Sequence, residues 1–201
     1  MTNIGRLRAY VQDMTRLIEV AGDDEARMLN EGRELLGALV AQDDWLPDAF
    51  AKPHPEYFQQ YLLYCDPLER FSVVSFVWGP GQMTPIHDHT VWGLVGQLRG
   101  AERETKFDRA DNGALTAAGD GRLLPGEVTA VSPTIGDIHI VANDMPDKAS
   151  VSIHVYGANI GAVARHAFEA DSGEAKDFVS GYSSTVVPNL WDMSEAVRAT
   201  Y

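Results

Sequence analysis

From residue 60 onward the chain breaks into short runs rich in β-branched and aromatic residues: QYLLYC, FSVVSFVW, VWGLVGQL, ERETKF, EVTAVS, IHIVA and ASVSIHVY. Gly, Pro, Asn and Asp separate them, and those residues end strands and make turns. Many short strands at regular spacing fold as a sandwich or a small barrel, because each strand must bury one face against another sheet.

The first 50 residues have another texture. Leu7, Val11, Met14 and Ile18 recur at the spacing of one helix face. GDD at 22–24 breaks that helix, and Asp23 or Asp24 is placed to cap a second one through Met28, Leu35, Leu36, Leu39 and Val40, ending near Pro47. The expected architecture is mainly β, with N-terminal α-helices packed on one face. Its parts are helices over 1–50, a β-barrel core over 57–170, and a C-terminal extension over 171–201 whose apolar run VVPNLW packs on the barrel. At 201 residues, one domain accommodates all three.

Composition narrows the function classes. A net charge of −13 without any basic stripe argues against nucleic-acid partners, which demand clustered Lys and Arg. The single cysteine, Cys65, permits no intramolecular disulfide and no thiolate metal cluster. No stretch approaches a membrane span, and MTNIGRLRAYVQDM has no signal-peptide hydrophobic run. The expectation is a soluble cytoplasmic protein.

The stretch PIHDHTVWG holds His87 and His89 one residue apart, so on a strand both imidazoles share a face. Alone, that pattern also fits a solvated strand. Around it, Gly81 lies six positions before His87, and Gly100 eleven after His89. Farther on come Gly126, Pro133, Gly136, His139 and Asn143. Together these resemble the paired motifs of the cupin superfamily, small barrels of two antiparallel sheets also called double-stranded β-helices. Two departures stand out: Gly93 occupies the position of the motif glutamate, and Pro133 is one residue farther from each flanking glycine. The resemblance implies a metal held by His87, His89 and His139, the third from a strand across the barrel mouth. Three neutral imidazoles leave open positions on a six-coordinate ion. His54 and His166 fall outside both motifs and read as surface or structural residues.

SVSIHVY alternates, with Val151, Ile153 and Val155 on one face and Ser152, His154 and Tyr156 on the other. Taken alone, the polar face suits a solvated strand. Behind a three-histidine site it resembles the hydrogen-bonded Ser-His-Tyr row of the thiol dioxygenase family, the relatives of cysteine dioxygenase. The resemblance covers roughly residues 57–166. It implies one Fe(II) per chain, a small thiol and O2 as substrates, a sulfinic acid as product, and a pocket row of Ser152, His154 and Tyr156. A neutral iron site favours anionic ligands such as thiolate.

Two positions bear on the branch of the family. Mammalian cysteine dioxygenases carry, near Gly93, a cysteine that crosslinks to the pocket tyrosine. With glycine there, Tyr156 is expected to be uncrosslinked, and Cys65 to pack as a small apolar residue. Cysteine-specific members place an arginine on the strand entering the barrel; here Gln60 aligns with it, with Gln59 the alternative by one register. That glutamine, and the run FVWGPGQMTPIHDHTVWG, resemble the 3-mercaptopropionate branch, in which an arginine past the Ser-His-Tyr strand is implicated in carboxylate binding; here it is Arg165. Other readings remain open at this point: cysteine or another small thiol as substrate, a cupin enzyme of different metal chemistry, or a metal-containing sensor without turnover.

Overall fold

A computed structural model describes residues 4–110, 112–184 and 193–201. The chain starts with an antiparallel helix pair, α1 (Gly5–Ala21) and α2 (Glu25–Val40). Gly22 turns between them at a φ of 55°, which glycine adopts without a Cβ penalty. Asp24 caps α2 by accepting a 3.0 Å hydrogen bond from the Arg27 amide.

Among the described residues eleven strands follow: β1 (Gln59–Cys65), β2 (Ser72–Trp78), β3 (Ile86–His87), β4 (Gly93–Arg99), β5 (Glu102–Arg109), β6 (Leu115–Leu123), β7 (Val128–Val131), β8 (His139–Asn143), β9 (Ser150–Tyr156), β10 (Arg165–Phe168) and β11 (Ala175–Phe178). They form two antiparallel sheets, ordered β1-β2-β9-β4-β7 and β11-β10-β3-β8-β5-β6. This is the expected mainly-β cupin architecture, with the helices on the outer face of the first sheet. A short α3 (Ser194–Arg198) lies near the C-terminus, where Arg198 donates to the Val179 carbonyl. The run VVPNLW lies outside the described residues. No helix among the described residues is long and apolar enough to cross a membrane.

Helix packing explains why the central strands are buried on both faces. Met14, Leu17, Leu36 and Leu39 pack against Val73, Leu94, Ile153 and Val155. Every residue of β2 and β9 is buried. The odd-numbered side of β9 therefore meets the helices, and its even-numbered side faces the barrel interior. Glycine sets the closeness of the helix. A Cβ at Gly32 would lie 2.9 Å from a Leu94 methyl, and one at Gly96 would lie 2.9 Å from Leu36 Cγ.

Trp45 closes the end of this core, fully buried, with its indole N–H donating 3.1 Å to the Leu39 carbonyl. Trp45→Ala should lower unfolding free energy by roughly 3–5 kcal/mol, through lost burial and an emptied cavity. Urea denaturation measures it, and a loss under about 1 kcal/mol would mean that the helices contribute little to the barrel's stability.

Three strands, β6, β10 and β11, go unmarked in the sequence, and the strand expected at PIHDHTVWG is shorter than that stretch. β6, LTAAGDGRL, carries two glycines and an exposed face, because it is an edge strand. β3 is only two residues long, while β10 and β11 are four each. The second sheet thus continues past residue 170 into the C-terminal segment. Beyond β11, Ser183 and Ser184 accept hydrogen bonds from the Gln60 and Leu62 amides, each at 3.1 Å.

Candidate metal centre and substrate cavity

Between the sheets lies a cavity of about 370 Å³. The second sheet supplies His87, His139 and Arg165 to its wall; the first supplies Gln60, His154 and Tyr156. The three imidazoles His87, His89 and His139 offer ligand atoms all within 4.8 Å of one another, with pairwise ring centroids 4.9 Å apart. One feature differs from the sequence expectation. His139 is not across the barrel mouth from His87; the two are direct partners on neighbouring strands β8 and β3. His89 lies just past β3, in the loop that Asp137 anchors.

The donor set fits a metal ion. Each ring has its Nδ1 engaged: His87 with the Pro85 carbonyl at 3.1 Å, His89 with Asp137 at 2.9 Å, and His139 with Glu104 at 2.6 Å. Such contacts fix the tautomer and leave Nε2 as the lone-pair donor. Burial and the neighbouring imidazoles hold His87 and His89 well below the usual imidazole range, so both rings are neutral. Asp137 and Glu104 escaped the sequence reading. Asp137 partners a histidine 48 positions away, and Glu104 one 35 positions away, so local spacing carries no sign of either.

Gly93 sits opposite Tyr156 on adjacent strands. A Cβ there would lie 2.9 Å from the Tyr156 ring, so glycine leaves room for the phenol that stacks on His89 at 5.4 Å. Tyr156 OH and His154 Nδ1 are 2.7 Å apart, and His154 Nε2 and Ser152 Oγ are 2.9 Å apart. The three even-numbered side chains of β9 therefore make one continuous row. Trp78 Nε1 donates to Ser152 Oγ at 3.3 Å and anchors its far end.

The glutamine register is plain. Gln60 pairs with Phe76 and lines the cavity, whereas the Gln59 amide turns back to the Tyr57 and Phe58 carbonyls. Arg165 is 4% exposed, stacked 4.7 Å over Phe178, with one terminal nitrogen on Ser180 Oγ at 2.6 Å. Its Nε has no hydrogen-bond partner, and it makes no ion pair among the described residues. Burial pulls its pKa below the ordinary arginine value.

The remaining candidates lie elsewhere. Cys65 is buried in an apolar cluster, and burial pushes its thiol up to about 12, so it stays protonated. His54 stacks on Tyr57, and His166 binds Asp88 at 2.7 Å.

A two-sheet barrel with three imidazoles and a Ser-His-Tyr row opening on one cavity defines a cupin-type candidate metalloprotein. The family model described as cysteine dioxygenase type I matches residues 45–169, more than half of the chain, and the chain belongs to that family. It is 28% identical over 107 residues to cysteine dioxygenase type 1 of Rattus norvegicus, covering 52% of each chain. Against the Danio rerio protein of the same name it is 24% identical over 155 residues, covering 73% of each. The match thus spans about half the length of the rat relative. A double-stranded β-helix protein of Klebsiella pneumoniae superposes with a TM-score of 0.44 at 15% identity, over 66% of this chain and 87% of that one.

Proposed function

We propose that the chain is an Fe(II)-dependent thiol dioxygenase acting on a small thiol carboxylate, with 3-mercaptopropionate as the preferred substrate. The reaction adds both atoms of O2 to the sulfur and yields the sulfinic acid. Arg165 carries the reading: a buried guanidinium without a carboxylate partner among the described residues, on the same cavity as three clustered imidazoles. An unpaired buried cation is costly, and a substrate carboxylate would relieve that cost. Gln60 adds a neutral hydrogen-bonding amide on the facing wall, with no charge to hold a second ionic group.

His87, His89 and His139 would hold the iron, which when bound supplies a Lewis-acidic, redox-active centre for thiolate and O2. The chain's own groups do the positioning. Arg165 and Gln60 orient the carboxylate end, which presents the sulfur to the imidazole cluster and makes its reaction effectively intramolecular. Phe58, Phe76 and Trp78 form an apolar wall that limits water. Tyr156, held by His154, reaches the reacting atoms as a hydrogen-bonding group.

The names of the rat and zebrafish relatives favour cysteine as the second reading. The test is O2 uptake by anaerobically iron-loaded protein, with 3-mercaptopropionate and cysteine side by side and sulfinate quantified. The expected result is coupled turnover with kcat/KM at least about tenfold higher for 3-mercaptopropionate, a difference of about 1.4 kcal/mol. A preference for cysteine would overturn the substrate assignment. No uptake at full iron loading would overturn the enzymatic reading.

A further inference from the structure

Two neighbours fix Arg165 at the cavity wall. The Phe178 ring lies 4.7 Å from the guanidinium, and Ser180 Oγ accepts from a terminal nitrogen at 2.6 Å. Both neighbours lie at or just past the end of β11, and both line the cavity.

The chain around Ser180 is anchored from one sheet to the other. On the side of the second sheet, Phe178 pairs with Arg165 itself across β11 and β10. The Gly181 amide then donates to the Gly161 carbonyl at 3.0 Å. Tyr182 Oη accepts from the Gly161 amide at 3.0 Å and donates to Asn159 Oδ1 at 2.6 Å. The Ser183 amide reaches the first sheet, donating to the Gln60 carbonyl on β1 at 2.8 Å. A Cβ at Gly161 would fall 2.3 Å from the Tyr182 ring, so only glycine admits this crossing. Contacts on either side of Ser180 therefore set its position against Arg165.

Counting protons gives Ser180 a second role. A guanidinium only donates, so the 2.6 Å contact uses an oxygen lone pair and leaves the hydroxyl proton unspent. That proton has no acceptor among the described residues, and the side chain borders the cavity. Serine also brings no charge. The carboxylates whose charge reaches Arg165 are engaged elsewhere: Asp137 with the His89 ring and the His89 and Thr90 amides, Asp88 with His166.

We infer that Ser180 is a specificity-determining residue: it holds the Arg165 guanidinium without neutralising it, adds its own O–H to the same end of the cavity, and so selects thiols whose far end is an anion over thiols of equal length that end in ammonium. The inference rests on the proposed function only in needing a thiol at the imidazole cluster. An acidic residue at position 180 would do the reverse. Its carboxylate would pair with Arg165, cancel the charge and occupy the donors that a substrate carboxylate requires. Alanine would leave the charge but remove both the anchor and the second donor.

The experiment titrates anaerobic Co(II)-loaded protein with 3-mercaptopropionate and with cysteamine, thiols of one length whose far ends carry opposite charge. The visible absorption of the cobalt reports binding without turnover. Wild type should bind 3-mercaptopropionate the more tightly. Ser180→Ala should raise that Kd about tenfold, as for loss of a hydrogen bond to a charged group, and change the cysteamine Kd by less than about twofold. Ser180→Asp should abolish or reverse the preference, and Ser180→Thr, which keeps the hydroxyl, should restore it. Should Ser180→Asp fail to fold, the Ala and Thr variants carry the test. Equal weakening of both thiols in Ser180→Ala would reduce Ser180 to a structural contact and overturn the inference. An unchanged ratio of the two affinities in the variants would overturn it as well. A wild type that discriminates between the thiols but oxidises neither would sink the functional proposal and leave this one standing; a wild type that binds neither would overturn both.

Discussion

Replacing His87 with Ala is expected to leave a folded protein that no longer retains iron. After anaerobic loading and desalting, iron per chain should fall from near one to below about a tenth, with thiol-dependent O2 uptake lost in parallel. The expectation follows from the donor set. Three imidazoles would supply all the protein ligands, and none brings a negative charge to compensate for a missing partner. Changing a residue that merely orients a ligand typically costs 10–100-fold in metal affinity, so losing a ligand costs at least that. His87 suits the test because its Nδ1 meets only the Pro85 carbonyl. Truncating His139 would free Glu104, a carboxylate placed to substitute as ligand. The fold should survive, since His87 lines a cavity, and the helix-covered core lies on the far face of the other sheet. Full iron content with full turnover in His87→Ala would remove the histidine trio from the site.

The sequence made some of this legible because local rules govern it. Seven of the strands announce themselves by β-branched runs between turn residues, and the start of α2 by the GDD break, within which only the structure separates Asp24 from Asp23 as the cap. The Ser152-His154-Tyr156 row is readable because strand alternation is a local rule that needs no knowledge of the fold. What stayed hidden depends on contacts distant in sequence. β6 has no hydrophobic face to betray it, since an edge strand facing water needs none. The pairing of His87 with His139 is a matter of register between β3 and β8, which spacing along the chain does not encode. Asp137 and Glu104 acquire meaning only once the histidines they hold are in place. Arg165 on sequence grounds alone resembles any surface charge; it becomes informative when found buried, with an unpartnered Nε beside the cavity. Gln60 and Gln59 are separable only by strand register, which Phe76 and the cavity wall supply.

Tyr156→Phe should give the opposite signature to the histidine variant: iron retained, chemistry impaired. Removing one oxygen leaves the ring in its stack on His89 and takes nothing from the ligand set. It does leave His154 Nδ1 without its 2.7 Å partner in a fully buried position, and it removes the only hydroxyl of the row that reaches the cavity. A positioned acid or base contributes on the order of 100-fold or more, so kcat should fall by about that factor while iron content stays near one per chain. The ratio of sulfinate formed to O2 consumed should also drop, because oxygen that finds no hydrogen-bond partner is free to leave in other products. Ser152→Ala, two links farther from the cavity, should reproduce the direction of the effect at smaller size, since it unsettles His154 without touching the phenol. If Tyr156→Phe turns over coupled and at the wild-type rate, the row is a packing feature of the barrel and Tyr156 has no part in the reaction.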